Sequence, residues 1–270
     1  MSRPAADHLG APLSQDPGGT VSRTAVSGQA IWREAQIRSR RPESSRADRL
    51  VLDVPGWPGH LPGHHVLVRR IGCDGQVAQR AYAIASAAES ALLHVIVDRE
   101  SDGERSPYLG GETGPGDLVE VRGPVGTRFV WDPAWTEPVQ LIGGGSGVVP
   151  LLSMLDAHGR ASSAAAMRLL YCLRSPELLL GGPGIHTGHL DAHVDVVFTR
   201  EGPGGWGAPI GRVDGCALRR LVWPATDRPD VYVSGPAGFV ASVTAALIKA
   251  GHPGSRVRTE RVGASGTPLV

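Results

Sequence analysis

The run Leu141-Ile142-Gly143-Gly144-Gly145-Ser146-Gly147-Val148-Val149-Pro150-Leu151-Leu152 constrains this 270-residue chain more than any other stretch. Its apolar start reads as a buried parallel strand. The glycines strip Cβ atoms from the turn after it, and Pro150 stands where a helix begins. Such a turn lets backbone N–H groups approach a ligand closely, and a helix N-terminus offers unpaired donors and a dipole suited to phosphate. The spacing is Gly145-x-Gly147-x-x-Pro150, so the common dinucleotide fingerprint ending in Gly or Ala is not met. Taken alone, the turn suits a phosphate cradle or a packing requirement equally.

The chain beyond Pro138 favours the cradle. Apolar strands at Val139–Ile142, Met167–Leu173, His193–Thr199 and Val231–Val233, with a short last one near Val257–Arg261, alternate with helical segments. The helix after Gly235 has Pro236 at its start and Phe239, Val240, Val243 and Leu247 at helical spacing, with Gly251 as its stop. Alternation of this kind predicts a parallel sheet whose ligand crevice lies at the strand C-terminal ends. The 143–147 turn and Ser234-Gly235-Pro236 both fall at such ends.

The first half reads differently. Short apolar runs at Leu50–Val54, His65–Arg70, Gln79–Ile84, Leu92–Val97 and Leu118–Arg122 are separated by turn signals, Asp74-Gly75 being a strong hairpin signal. They predict a closed or nearly closed antiparallel β-barrel. The expected organisation is a disordered tail over 1–28, a barrel over 29–133, an α/β domain over 134–266 and a short tail over 267–270, with Pro133–Pro138 as the linker.

Composition removes several classes. A formal net charge of +1 points to neither nucleic acid nor an anionic membrane. Cys73, Cys172 and Cys216 form no C-x-x-C pair, which argues against an iron–sulfur centre, a cysteine zinc site or a disulfide framework. His186, His189 and His193 have helical metal-ligand spacing, but glycines and a proline surround them, so a solvated segment is the reading and no metal is expected. His64-His65 reads as packing in the core or at a cofactor edge, and the arginines from Arg33 to Arg49 as a solvated rim, with a docking patch for an acidic carrier as the alternative. With no membrane-length apolar run and no signal-peptide core, a cytoplasmic location is the expectation.

A barrel followed by such a sheet then meets specific residues. Arg80-Ala81-Tyr82-Ala83 resembles the Arg-x-Tyr-Ser flavin motif of the ferredoxin–NAD(P)+ reductase superfamily. Gly103-Glu104-Arg105-Ser106 resembles its Gly-x-x-Ser pyrophosphate segment, and Gly123-Pro124-Val125-Gly126 the Gly-Pro-x-Gly turn. Gly144–Pro150 is similar to the nicotinamide-nucleotide turn, Ser234-Gly235-Pro236 to the Cys-Gly-Pro element, and Thr259-Glu260-Arg261-Val262-Gly263 to the terminal Glu-Arg-Phe-Gly. The resemblance runs from about residue 30 to residue 266 and implies a barrel that binds FAD and an α/β sheet that binds NAD(P).

It also implies roles. Arg80 would meet the FAD pyrophosphate, Tyr82 would lie against the isoalloxazine, Ala81 and Ala83 would line the same motif, and Val95 and Val97 on the next strand would adjoin the flavin. Gly103, Glu104, Arg105 and Ser106 would present a capped helix start to the pyrophosphate. Gly144, Gly145, Ser146, Gly147, Pro150, Gly235 and Pro236 would hold the nicotinamide nucleotide. Arg174 and Ser175 after the second sheet strand, with Arg200 after the third, suit the 2′-phosphate of NADPH better than NADH, though NADH is possible. Tyr82, Ala83, Ser234 and Glu260 would stand nearest the chemistry.

Three positions depart from the pattern: Ala83 lacks the hydroxyl expected near flavin N5, Ser234 replaces a cysteine, and Val262 replaces an aromatic residue. The resemblance therefore implies a flavoprotein oxidoreductase, with efficient hydride transfer in question. Electrons would pass from the nicotinamide nucleotide through FAD to a protein acceptor such as a ferredoxin, a flavodoxin-like protein, an oxygenase or a molybdenum enzyme. Two alternatives remain: a flavin-binding accessory protein with an impaired nicotinamide site, and a flavin enzyme with its own small-molecule substrate.

Overall fold

A computed structural model of the chain describes residues 31–71, 77–88, 90–99, 109, 113–182 and 192–263. The first layer contains β1 (Trp32–Pro42), β2 (Ala47–Asp53), β3 (His65–Ile71), β4 (Val77–Ala83), β5 (Leu93–Asp98) and β6 (Leu118–Val125). They form one antiparallel sheet in the order β4-β3-β6-β1-β2-β5. An antiparallel bridge between Ile84 and Val95 joins the two edges, supported by Ala85 N–H donating to the His94 carbonyl at 2.8 Å. The sheet thus curls back on itself as the expected barrel, around Ile37, Leu50, Leu52, Val66, Val95 and Val121.

β1 is not visible among the apolar runs. Its sequence, Trp-Arg-Glu-Ala-Gln-Ile-Arg-Ser-Arg-Arg-Pro, carries only Ala35 and Ile37 as buried apolar residues. Yet it lies between β6 and β2, and part of its stability comes from charge: Arg40 to Asp48 at 2.7 Å, with Asp48 almost fully buried. The arginines of this stretch therefore belong to a central strand and its partners, not simply to a solvated rim. The Asp74-Gly75 turn lies outside the described residues, but β3 and β4 pair antiparallel up to Ile71 opposite Val77.

The second layer contains β7 (Val139–Gly144), α1 (Val149–Ala161), β8 (Met167–Leu173), β9 (His193–Phe198), α2 (Gly215–Leu221), β10 (Asp230–Pro236), α3 (Ala237–Lys249) and β11 (Val257–Val262). All strand pairs are parallel, in the order β11-β10-β7-β8-β9. Chain order reverses between β7 and β10, which puts the crevice of a doubly wound sheet at their C-terminal ends. Strands of such a sheet are apolar on both faces because both are covered. Val139, Leu141, Leu169, Tyr171 and Tyr232 pack with α1 and with residues of the barrel, whereas Ile142, Leu170, Val231 and Val233 pack with α2 and α3.

The two layers share a core. Ala47, Ala83 and Ile96 from the barrel, and Phe129 and Trp131 after it, lie in one cluster with Leu141, Leu151, Met154 and Tyr232. Polar ties reinforce the join. Gly63 N–H donates to Ser153 Oγ at 3.1 Å, and Tyr232 Oη donates to the Val130 carbonyl at 2.8 Å. Ser45 N–H donates to the Glu177 carbonyl at 2.9 Å. No described helix is long and apolar enough to cross a membrane.

Candidate active site at the join of the two domains

The glycine turn is built by close approach. Gly145 adopts φ +56°, a left-handed conformation with open space around its α-carbon, and starts a short 3-10 turn over Gly145–Val148. A methyl on Gly147 would lie 2.5 Å from both Gly235 Cα and Gly235 N, so two backbones touch where β7 and β10 end. One on Gly144 would lie 2.7 Å from the Phe239 ring. Pro150 takes its place in the first turn of α1, directly after the 3-10 turn. Ser146 is half-buried beside them, and the exposed Pro236 stands at the position just before α3 begins. Packing and ligand approach are therefore served by the same glycines.

Beside this turn, three residues stand in register on adjacent strands: Gly143 on β7, Ser234 on β10 and Glu260 on β11. Strand alternation puts them on the face of Leu141, Tyr232 and Arg258, the face that meets the barrel. Ser234 is wholly buried, yet its Oγ has no hydrogen-bond partner among the described residues, and neither does Glu260 Oε2. Buried polar atoms are seldom left so in a native protein unless a ligand or water completes them. Burial pushes the Glu260 carboxyl up to about 8. Val262, opposite Pro236, is buried.

From the barrel side, Ala83 and His65 are direct cross-strand partners on β4 and β3. Ala83 packs in the core shared with the sheet, so this face of β4 looks across at Ser234 and Glu260. His65 Nδ1 lies 3.6 Å from Glu260 Oε1, and both side chains are nearly enclosed. Burial holds the imidazole below its ordinary value as it raises the carboxyl, so the two face each other uncharged at neutral pH and are not an ion pair. His64 is buried too and is lowered to about 4 by that burial and by the neighbouring His60.

Tyr82, one residue before Ala83, points the other way. It is in register with Val66 and buried in the barrel core with it, so its ring lies on the opposite face of β4 from Ala83. Val95 and Val97 also turn their side chains into that core, whereas Ala81 is buried on the face of β4 that carries Ala83. Arg80 is half-buried; one guanidinium nitrogen donates to the Gln79 carbonyl at 3.0 Å, and it makes no salt bridge among the described residues. Gly103, Glu104, Arg105 and Ser106 lie outside the described residues.

At the far end of the crevice, Arg174 and Arg200 are exposed and adjacent, since Arg200 N–H donates to the Arg174 carbonyl at 3.0 Å. Ser175 is buried and its hydroxyl donates to the Glu177 carboxylate. Glu177 is a residue that sequence reasoning misses: it stands four positions past the strand end at Leu173, beyond where an acid would be sought. That bond holds its carboxyl below the usual range, with the Arg46 guanidinium lowering it further, so it carries charge. Of the three spaced histidines, His193 opens β9 with its exposed ring 3.1 Å from the Asp195 carboxylate, while His186 and His189 lie outside the described residues.

Comparison with known proteins decides the family. The family model for an oxidoreductase FAD-binding domain matches residues 24–130, and that for an oxidoreductase NAD-binding domain matches residues 141–245. The chain belongs to the ferredoxin–NAD(P)+ reductase superfamily. It is 34% identical to methane monooxygenase component C of Methylosinus trichosporium over 119 residues, covering 44% of this chain and 34% of that protein. It is 26% identical to a flavohemoprotein of Pseudomonas putida over 246 residues, covering 88% and 61%. The chain thus spans from about a third to three fifths of these relatives' length. In fold it resembles the FAD/NAD-binding domain of a Vibrio cholerae nitric oxide dioxygenase, with a TM-score of 0.75, 22% identity, and 86% and 98% of the two chains covered.

Proposed function

We propose that this superfamily member is an NAD(P)H-dependent reductase that binds FAD between barrel and sheet and passes electrons to a separate protein acceptor. The observation that carries the reading is the set of buried, unpartnered polar atoms on Ser234 and Glu260, in register with the glycine turn and facing the barrel. Bound FAD would supply a two-electron acceptor for hydride from the nicotinamide and a donor of single electrons to the partner.

The chain's own residues do the rest. Gly143–Gly147 let the dinucleotide lie against backbone, and the first turn of α1 favours its phosphates. Ser234 Oγ and Glu260 Oε2 can bond a carboxamide, the amide end of a nicotinamide, which completes both atoms. The shared core around Ala83, Leu141 and Tyr232 keeps water from the reacting face. Arg80, unengaged by any acid among the described residues, suits the FAD pyrophosphate.

Arg174 and Arg200 support a preference for NADPH, since neighbouring guanidinium groups suit a 2′-phosphate. The acceptor is a ferredoxin, a flavodoxin-like protein or an oxygenase component; the oxygenase class has the support of the methane monooxygenase relative. The test is spectroscopic. The purified chain should be yellow or take up FAD to about one per chain, and anaerobic NADPH should bleach it faster than NADH. A protein that binds no flavin would overturn the reading, and one whose bound flavin neither nucleotide bleaches would favour an accessory role.

A further inference from the structure

Three histidines crowd the barrel end that faces the sheet, and two have their ring nitrogens engaged. His60 Nε2 lies 3.1 Å from the Ser86 carbonyl, and its Nδ1 accepts from the Trp57 indole at 3.3 Å. His64 Nδ1 accepts from Leu61 N–H at 2.9 Å. His65 differs. Its Nε2 is buried with no partner among the described residues, and its Nδ1 faces Glu260 Oε1 across 3.6 Å, too far for a direct bond.

His65 also stands directly opposite Ala83, so the two side chains leave adjacent strands on one face, with Cβ atoms about 4.5–5.5 Å apart. Ala83 offers a methyl group and no donor. An imidazole one strand away can reach the same space with an N–H.

We infer that His65 supplies, from the neighbouring strand, the hydrogen bond to the flavin ring that the alanine at position 83 cannot make, with Glu260 orienting its imidazole. The inference rests on the flavin reading above. Burial leaves the proton on Glu260 and the imidazole neutral, so the acid donates to Nδ1 once the gap closes by about an ångström. That fixes the tautomer whose N–H is on Nε2, the nitrogen with no partner among the described residues. A histidine that merely fills the core would need neither the facing acid nor the free nitrogen.

The test compares FAD-loaded wild type, His65→Leu and His65→Gln, each with and without Ala83→Ser. FAD content, visible spectrum and midpoint potential are read without nicotinamide nucleotide present. His65→Leu should keep FAD but shift the oxidised-to-reduced equilibrium by about five- to a hundredfold, or about 20–60 mV for two electrons. His65→Gln, which keeps an N–H, should shift it less. Ala83→Ser should restore the potential in His65→Leu and change the wild type little. If His65→Leu does not fold, Glu260→Leu tests the same contact and should shift the potential in the same direction.

An FAD-loaded His65→Leu with unaltered spectrum and potential overturns this inference and leaves the flavin reading standing. So does an equal effect of Ala83→Ser on both backgrounds, or a Glu260→Leu with unaltered potential. A wild type that takes up no FAD overturns both.

Discussion

Gly147 and Gly235 meet backbone to backbone: a methyl on Gly147 would sit 2.5 Å from both Cα and N of Gly235. Two strands far apart in sequence end against each other here, and neither can carry a side chain at the contact. Gly147→Ala should therefore destabilise the fold by about 1–3 kcal/mol or more through overpacking and weaken nucleotide binding with it. Gly145→Ala meets open space and loses only through its left-handed backbone, about 1–2 kcal/mol. Chemical denaturation and nucleotide titration of both variants check the order; equal losses would show that the contact at Gly147 opens easily.

Glu260 ties stability to pH. Its folded carboxyl titrates near 8 because burial disfavours the charged form, against 4.5 for the free group. The unfolded chain therefore releases this proton first, and as pH rises from 4.5 to about 8 the native state loses stability relative to it. Each pH unit in that window costs on the order of 1.4 kcal/mol, with no further loss above it. Glu260→Gln should remove this slope and gain over wild type as pH rises. Parallel stability profiles for the two proteins between pH 5 and about 9 would refute it.

On the proposed reading, nucleotide choice turns on the exposed charges of Arg174 and Arg200. Arg174→Ala should weaken NADPH by about 1.5–3 kcal/mol, roughly ten- to a hundredfold, and leave NADH nearly unchanged. Glu177→Gln removes the negative charge that the Ser175 hydroxyl holds in place, so NADPH should gain relative to NADH. Steady-state kinetics with both nucleotides separate these outcomes. Equal losses for both nucleotides in Arg174→Ala would assign that arginine to shared contacts.

Ser153 on α1 accepts from Gly63 N–H of the barrel at 3.1 Å and donates to the Pro150 carbonyl at 2.8 Å. Ser153→Ala leaves the Gly63 N–H buried and unpaired, and should cost about 1–3 kcal/mol. Ser153→Thr, which keeps the oxygen, should cost less. Thermal melts with and without FAD test this, since a loss that vanishes on flavin binding would place the bond outside the folded core.

Local signals make much of this legible. The strand, glycine turn and Pro150 helix start around residue 147 are readable because strand, turn and helix each leave short-range marks. The same holds for α3 between Pro236 and Gly251. β1 is not readable: its outward residues are charged, and burial of Asp48 under Arg40 is a property of two strands together. The facing of His65 and Glu260 crosses the whole chain and arises from domain packing, which no periodicity records. Tyr82 shows the converse limit, since a motif names a residue without saying which face of β4 it takes. Glu177 escapes notice because a short 3-10 turn folds it back onto Ser175.

The shared core has a mechanical meaning for the whole chain. Ala47, Ala83 and Ile96 of the barrel are packed among Leu151, Met154 and Tyr232 of the sheet, and the turn between β1 and β2 is fastened to the segment after β8. Glu43 adds to that fastening by accepting from Gly181 N–H at 3.2 Å while its carboxylate grips Arg49. Loosening the sheet by heat uncovers the barrel face that carries Ala47, Ala83 and Ile96, so calorimetry should record one melting transition, not two. A nucleotide gripping the sheet would then protect the barrel as well, and limited proteolysis would release neither half as a durable fragment.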